Sequence, residues 1–300
     1  MTRNICVILK DRGVVTVSGS DARSFLQGII TCDVTKALPE MTIYGAFLTP
    51  QGKYLFDFFI AELNGTLLLD IERNRIADFI KRLSLYKLRS DVALTDASDQ
   101  YQTLALFGSK NSLNDLQLAP HPGTTKPLGN GLIFTDPRLT EAGARAIVPT
   151  SEAKNTLDIT GFSLSPQEAY DKHRISLGLP DGTQDLISEK STLLENGFDE
   201  LNGIDWNKGC YMGQEVTART KHRGLLKKRL VCVDIVGPAP AVGTPVISND
   251  GNVGEMRSSS GNRGLALIKL DFLDPLGETE IILSADKATI TPRKPNWATF

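Results

Sequence analysis

The run KGCYMGQEVTART, Lys208 to Thr220, sets a cysteine between glycines and follows it at once with a polar, helix-compatible segment. A filler cysteine sits more naturally among apolar neighbours. Gly209 and Gly213 give the backbone freedom to turn sharply on either side of Cys210. If Gly213 opens the helix GQEVTARTKH, Cys210 lies just before a helix N-terminus. Unpaired N–H groups and the helix dipole favour an anionic thiolate there, and Lys208 adds a positive charge nearby. Glu215 and Arg219, four apart, can pair along that helix. The run therefore reads in two ways. Cys210 is either a displayed, ionisable thiol at a loop–helix junction or an inward-packed residue whose glycines only shape a turn.

The surrounding letters narrow the chemistry. A cysteine hydrolase needs a positioned base, and nothing in the spacing ties His121, His173 or His222 to Cys210. One cysteine cannot hold an iron–sulfur cluster alone, because such clusters take several thiolates. Arg219, Lys221, Arg223, Lys227, Lys228 and Arg229 form a basic run, which reads either as solvated surface or as a patch for phosphate or carboxylates. No aromatic residues interleave with it, so direct nucleic-acid binding is not expected. Neither the P-loop nor the dinucleotide fingerprint occurs.

With 300 residues, 41% of them apolar, the chain can bury a large core. A formal charge of −2 argues against a broad polyphosphate-binding surface. Met1 to Val17 lack an export signal's apolar core, no run is long enough to span a bilayer, and four scattered cysteines make no disulfide framework. Together these predict a cytoplasmic protein. Cys6 in ICVIL and Cys232 in LVCVDIV read as core residues.

Strands and helices interleave in the first part. GVVTVSGSDARSFLQ (13–27) reads as strand, turn and helix, with Ser20 or Asp21 as the N-cap. YLFDFFIAEL and TLLLDIE form a hairpin turning at Asn64–Gly65. Ile76, Phe79, Ile80 and Leu83 share a helical face. QTLALFGSKNSLNDLQ (102–117) faintly echoes the first unit, and 143–159 gives a further strand and helix. SPQEAYDKHRISLG (165–178) is a helix with Ser165 as N-cap, followed by a long irregular stretch over 179–208. After Leu226 short apolar runs broken by Gly, Pro, Asn and Asp predict a barrel or sandwich of about six strands, among them LVCVDIV, TPVIS and TEIIL. The fold class is α+β, with residues 1–224 in two related halves that break near 98–101 and a β domain over 225–300.

KGCYMGQEVTARTKHRG closely resembles the signature of the YgfZ family, folate-binding relatives of the glycine-cleavage T-protein, an aminomethyltransferase. GSDARSFLQGIITCDVTK (19–36), TPQGKYLFDFFI (49–60), LYKLRSDVALTDAS (85–98) and ENGFDELNGIDWNKGC (195–210) match it as well, in the same order. The resemblance implies a T-protein-like fold of two α+β portions around a central cavity, closed by a C-terminal β-barrel. It implies tetrahydrofolate as the cofactor and a role in assembly or repair of iron–sulfur clusters in client enzymes, tRNA-thiolating ones included. Client and assembly proteins are the implied partners, and the family has a mitochondrial counterpart. The signature cysteine falls on Cys210, with Lys208 beside it, and Tyr211, Gly213, Gln214 and Glu215 match further signature positions as cofactor-binding residues.

Two departures bear on activity. Where the T-protein pattern has tandem acids this chain reads Phe56–Asp57, leaving Asp57 as the one candidate catalytic carboxylate. Where that pattern has an acid to grip the pterin, the chain reads Arg174–Ile175–Ser176. A pterin's N–H donors want a carboxylate, so Asp57 or Glu195 would have to substitute. Arg219 and Arg223 are candidates for the folate's glutamyl carboxylates. The expectation is a folate-binding maintenance factor. The alternatives are a folate-dependent aminomethyl or methyl transferase using Asp57, and an RNA- or partner-binding module without chemistry.

Overall fold

A computed structural model describes residues 3–224, 226–249, 251–273 and 281–300. The chain divides into two compact units. The first comprises residues 1–50, 55–167 and 201–212; the second comprises 51–54, 168–200 and 213–300.

The first unit is built on two sheets. One has five strands in the order Ile43–Leu48, Tyr54–Leu63, Thr66–Glu72, Arg12–Ser18, Ala93–Asp96. Its hairpin turns at Asn64–Gly65, where both residues take positive φ (52° and 79°). That is the turn whose twist matches the flanking strands, and Asn–Gly is the pair that adopts it at least cost. The strand Tyr54–Leu63 alternates faces, as its pleat requires. Phe56, Phe58 and Ile60 join one core with Phe79 and Leu83 of the helix Ile76–Lys87. Phe79 meets Phe56 edge-on at 5.2 Å, and its full burial contributes about 2–3 kcal/mol.

The six-stranded sheet runs Ser163–Ser165, Ile5–Ile8, Tyr101–Phe107, Ala144–Pro149, Gly131–Thr135, Thr125–Leu128. Ser165 was expected to cap a helix. It lies instead in an edge strand paired in parallel with Ile5–Ile8, and the helix begins at Gln167. The pairing satisfies the backbone there and draws the serine into the sheet. Asp21 does stand at the N-cap of the helix Ala22–Gln27, but its carboxylate accepts from the Asp91 N–H at 2.8 Å and does not cap.

The two sheets meet across the face of Tyr54–Leu63 that carries Asp57 and Phe59. Phe59 lies 6.1 Å from Phe134 of the second sheet. Beside it Asp70, fully buried, accepts from Arg12 of its own sheet at 2.8 Å and from Arg145 of the other at 2.6 Å. The Arg145 guanidinium lies 4.2 Å from the Phe59 ring centroid and that of Arg138 4.9 Å. Burial pushes the Asp70 carboxyl up, and the two guanidiniums outweigh it, holding the group below its usual range.

The second unit carries a closed barrel of six strands in the order Lys228–Val236, Arg263–Lys269, Gly251–Ser260, Pro245–Ser248, Leu283–Ala285, Ala288–Arg293. Val231, Val233 and Ile235 point inward at period two. Of the expected strand TEIIL, Thr279 and Glu280 lie outside the described residues. The helix Gln167–Leu177 packs Ile175 against Leu230 and Leu265 of the barrel wall. Its Arg174 is buried and donates to Asp185 at 2.7 Å, while the Ser258 N–H donates to the same carboxylate at 3.0 Å. The helix ends at Gly178, whose φ is +76°.

Candidate functional site

Cys210 is exposed. It sits on the segment 201–212 of the first unit, which lies over the turn that follows the helix Ala22–Gln27. Five hydrogen bonds hold the segment there. The Thr31 hydroxyl donates to the Gly203 carbonyl at 2.6 Å, and the Asp205 N–H donates to Thr31 O at 2.9 Å. The Lys208 ammonium donates to Ile30 O at 2.6 Å and to Cys32 O at 2.7 Å. The Met212 N–H donates to Gly28 O at 3.2 Å. A bridge between Ile30 and Phe47, together with the Ala46 N–H donating to the Thr31 hydroxyl at 2.8 Å, ties this turn to the strand Ile43–Leu48. The cysteine loop thus rests on the sheet through a short chain of hydrogen bonds centred on Thr31 and Lys208.

Lys208 corrects one part of the sequence reading. It was expected to lend its charge to Cys210. The structure buries the side chain and commits the ammonium to two carbonyls, with the Tyr211 ring centroid 5.4 Å away. Burial lowers its pKa, and the groups opposing that effect are Cys32, Asp33 and Asp205. Lys208 anchors the loop.

Tyr211 is buried, and burial pushes its phenol up to about 12. Its hydroxyl has no hydrogen-bond partner among the described residues. A buried hydroxyl left so costs about 1–3 kcal/mol, which makes it a natural group to meet a polar ligand atom.

Asp57 is only 4% exposed and accepts from the Tyr44 hydroxyl at 3.0 Å. The phenol is held well above its usual range, first by burial and then by the Asp57 charge. Asp57 and the loop 201–212 both belong to the first unit.

The other expected ligand residues lie in the second unit. The helix forms as Gln214–His222, with Gly213 at its N-cap in the left-handed region (φ 79°). Only a residue without Cβ takes that conformation cheaply, which accounts for the second glycine of the motif. Gln214 is half-buried, and Glu215, Arg219 and Arg223 are exposed. Glu195 is half-buried in the turn Leu194–Asn196 and accepts from the Thr192 hydroxyl at 2.7 Å. The Ser176 hydroxyl, at the position of the T-protein acid, donates back to the His173 carbonyl at 2.7 Å.

The basic run is not one surface. Arg229 is buried, paired with Glu200, and stacked 4.6 Å over Phe300. Lys221 pairs with Asp199 at 3.2 Å. Arg219, His222, Arg223 and Lys227 remain exposed.

The platform Ile30–Cys32 escaped the sequence reading, although the stretch 19–36 had matched the family. Main-chain acceptors leave no mark in side-chain letters. The Arg12–Asp70–Arg145 group also escaped it. Its signal was present as single charges inside apolar strands, RGVV, LLLDIE and ARAIV.

Two family descriptions match: the GCVT N-terminal domain over residues 9–116, and the CAF17 C-terminal beta-barrel domain over 227–300. A mouse protein, iron–sulfur cluster assembly factor IBA57, mitochondrial, is 30% identical across 97% of this chain and 85% of its own length. The chain belongs to the IBA57 family. A Neurospora crassa IBA57 homolog, likewise named mitochondrial, is 34% identical over 74% of this chain and 52% of its own, so the chain spans about half the length of that relative. Among solved structures, the glycine cleavage aminomethyltransferase T of Bartonella henselae superposes with a TM-score of 0.77 over 99% of this chain and 86% of its own, at 15% identity. At that identity the likeness establishes the T-protein-like fold and nothing further.

The cytoplasmic expectation does not survive. The IBA57 relatives carry mitochondrial in their names. Four scattered cysteines without a disulfide framework do not single out the cytoplasm among reducing compartments. Among the described residues no helix is long and apolar enough to cross a membrane, and no three His, Cys, Asp or Glu side chains gather to hold a metal ion.

Proposed function

We propose that this IBA57-family chain is a tetrahydrofolate-binding factor for assembly or repair of iron–sulfur clusters, tRNA-modifying enzymes among its clients, with Cys210 as its reactive thiol. One observation carries the reading. Cys210 is exposed on a loop pinned by a buried lysine, so the sulfur is both accessible and held in a fixed place. The names of the relatives point to the same work. A lone thiol cannot complete a cluster's coordination, so it acts together with ligands from another protein.

For the folate, the unpartnered Tyr211 hydroxyl is the fitting group on the first unit. It would donate to or accept from the bound ligand without breaking an existing bond. Bound folate would supply a one-carbon carrier; the chain's part is to hold and orient it. On the second unit Glu195 keeps lone pairs free for an N–H donor, and Arg219 and Arg223 keep their charges for carboxylates.

The transferase alternative is disfavoured by geometry. Asp57 is already engaged by the Tyr44 hydroxyl, and the Ser176 hydroxyl is turned to its own helix.

Trp206, four residues before Cys210, is half-buried in the same segment, and its fluorescence reports on that loop. Titration with tetrahydrofolate is expected to quench it, with Tyr211→Phe weakening binding about tenfold, the loss of one well-made hydrogen bond. Absence of binding by calorimetry would remove folate from the account.

A further inference from the structure

We infer that Thr31 is a positioning residue for the Cys210 thiol: its hydroxyl takes the place of its own main-chain carbonyl in the sheet, and the carbonyl so released holds the cysteine loop. This rests on the reading of Cys210 as the reactive thiol. The turn after the helix Ala22–Gln27 adds itself to the edge strand Ile43–Leu48, with Ile30 opposite Phe47 in an antiparallel bridge. That register puts Thr31 opposite Ala46. In a regular ladder such a pair exchanges two main-chain hydrogen bonds. The first is made, with the Thr31 N–H donating to Ala46 O at 2.9 Å. The second is replaced: the Ala46 N–H donates at 2.8 Å to the Thr31 hydroxyl.

The replacement frees the Thr31 carbonyl, which accepts from the Asp205 N–H at 2.9 Å. The hydroxyl proton goes to the Gly203 carbonyl at 2.6 Å. Three consecutive carbonyls, those of Ile30, Thr31 and Cys32, are thereby given over to the segment 201–212, the outer two to Lys208. Thr31 is fully buried, so bulk water does not take the place of these partners. Thr31 thus seats the loop at Gly203 and Asp205, and Lys208 seats it again just before Cys210.

The side chain at position 31 must accept from one main-chain group while donating to another, which a hydroxyl does. Serine keeps both functions. Valine keeps the shape and loses both. With valine, either the Ala46 N–H stays unpaired or the carbonyl of residue 31 turns back to it and lets Asp205 go. In both cases the Gly203 carbonyl loses its donor, and the loop loses its seat.

The test attaches a nitroxide spin label to Cys210 of the full chain, the one exposed cysteine of the four. Thr31→Val should shorten the label's rotational correlation time about twofold or more, as a loop moving on the nanosecond scale would. Thr31→Ser should leave the spectrum as it is. Gly65→Ala, which strains the hairpin at 64–65, should also leave it unchanged, so that general destabilisation is told apart from positioning. A label no freer in Thr31→Val than in wild type, or equally freed in Thr31→Ser or Gly65→Ala, would overturn the proposal. If Thr31→Val does not fold, deuterium exchange in the unaltered protein decides. The Ala46 and Asp205 amides, bonded to one residue, should open together, with protection factors within about tenfold of each other. A wider gap would overturn the proposal. In cells lacking the chain, Thr31→Val at the wild-type protein level should restore an iron–sulfur enzyme about threefold less well than Thr31→Ser, or worse, as misplacement of a reacting group predicts. Equal restoration, where Cys210→Ser does not restore, would contradict it. Should Cys210→Ser restore activity, the thiol reading fails while the label spectra still judge Thr31, so the two failures are told apart.

Discussion

Lys208 donates from its buried ammonium to the main-chain carbonyl of Cys32 at 2.7 Å, tying the segment that carries Cys210 to the turn after the first helix. The lysine of the signature run thus fixes the place of the cysteine loop, and the thiol is left facing solvent.

Replacing Lys208 with methionine leaves the Ile30 and Cys32 carbonyls without that donor. The expected loss is about 1–3 kcal/mol, read as a lower urea midpoint. Trp206 emission should shift toward that of exposed indole as the loop loosens. An unchanged spectrum would show that the remaining contacts through Thr31 and Gly28 suffice.

Asp70 neutralises two buried guanidiniums at once. Asp70→Asn strands Arg12 and Arg145, and the expected cost is about 3–5 kcal/mol. The pH dependence has a definite sign. The folded pKa lies below the ordinary 3.8, so the folded state binds this proton less readily. The stabilisation is complete above about pH 5 and is lost as the pH falls through the folded pKa. The gap in denaturant midpoint between wild type and variant should be widest at pH 6 and should narrow as the pH is lowered below 3.8.

Gly65 and Gly178 both require positive φ, 79° and 76°, yet a Cβ at Gly65 meets nothing within 4 Å while one at Gly178 comes within 2.8 Å of Pro295. Gly65→Ala should cost about 1–2 kcal/mol from conformation alone. Gly178→Ala should cost more, because the proline ring must also move. Equal losses in thermal melts would contradict the described packing.

Much of the fold was legible because the side chains that shape it carry periodic or turn-specific signals. Asn64–Gly65 announced its hairpin, and Ile76, Phe79 and Leu83 announced their helix face. Ser165 misled because a parallel strand, set by a partner at Ile5–Ile8, overrode its capping preference. Of the site, the letters showed Cys210 and its glycines. They did not show that Lys208 would turn toward carbonyls 176 and 178 positions away, since those acceptors belong to the backbone. Nor did they show Arg229 leaving the basic run for Glu200.

In the native protein iodoacetamide should modify Cys210 first. Cys6 and Cys32 are buried and Cys232 is half-buried, and burial raises their thiols to about 12, about 12 and about 11. Peptide mapping at pH 7.5, roughly one unit below an ordinary thiol, should find a single labelled cysteine. Comparable labelling of Cys32 would mean that the platform beneath the loop opens.

The most direct test restores the chain to cells lacking it and measures the activity of an iron–sulfur enzyme. Wild type should restore activity. Cys210→Ser, folded and still able to bind tetrahydrofolate, should leave it near the level of the deficient cells. Full restoration by Cys210→Ser would contradict the central claim that this exposed sulfur does the work.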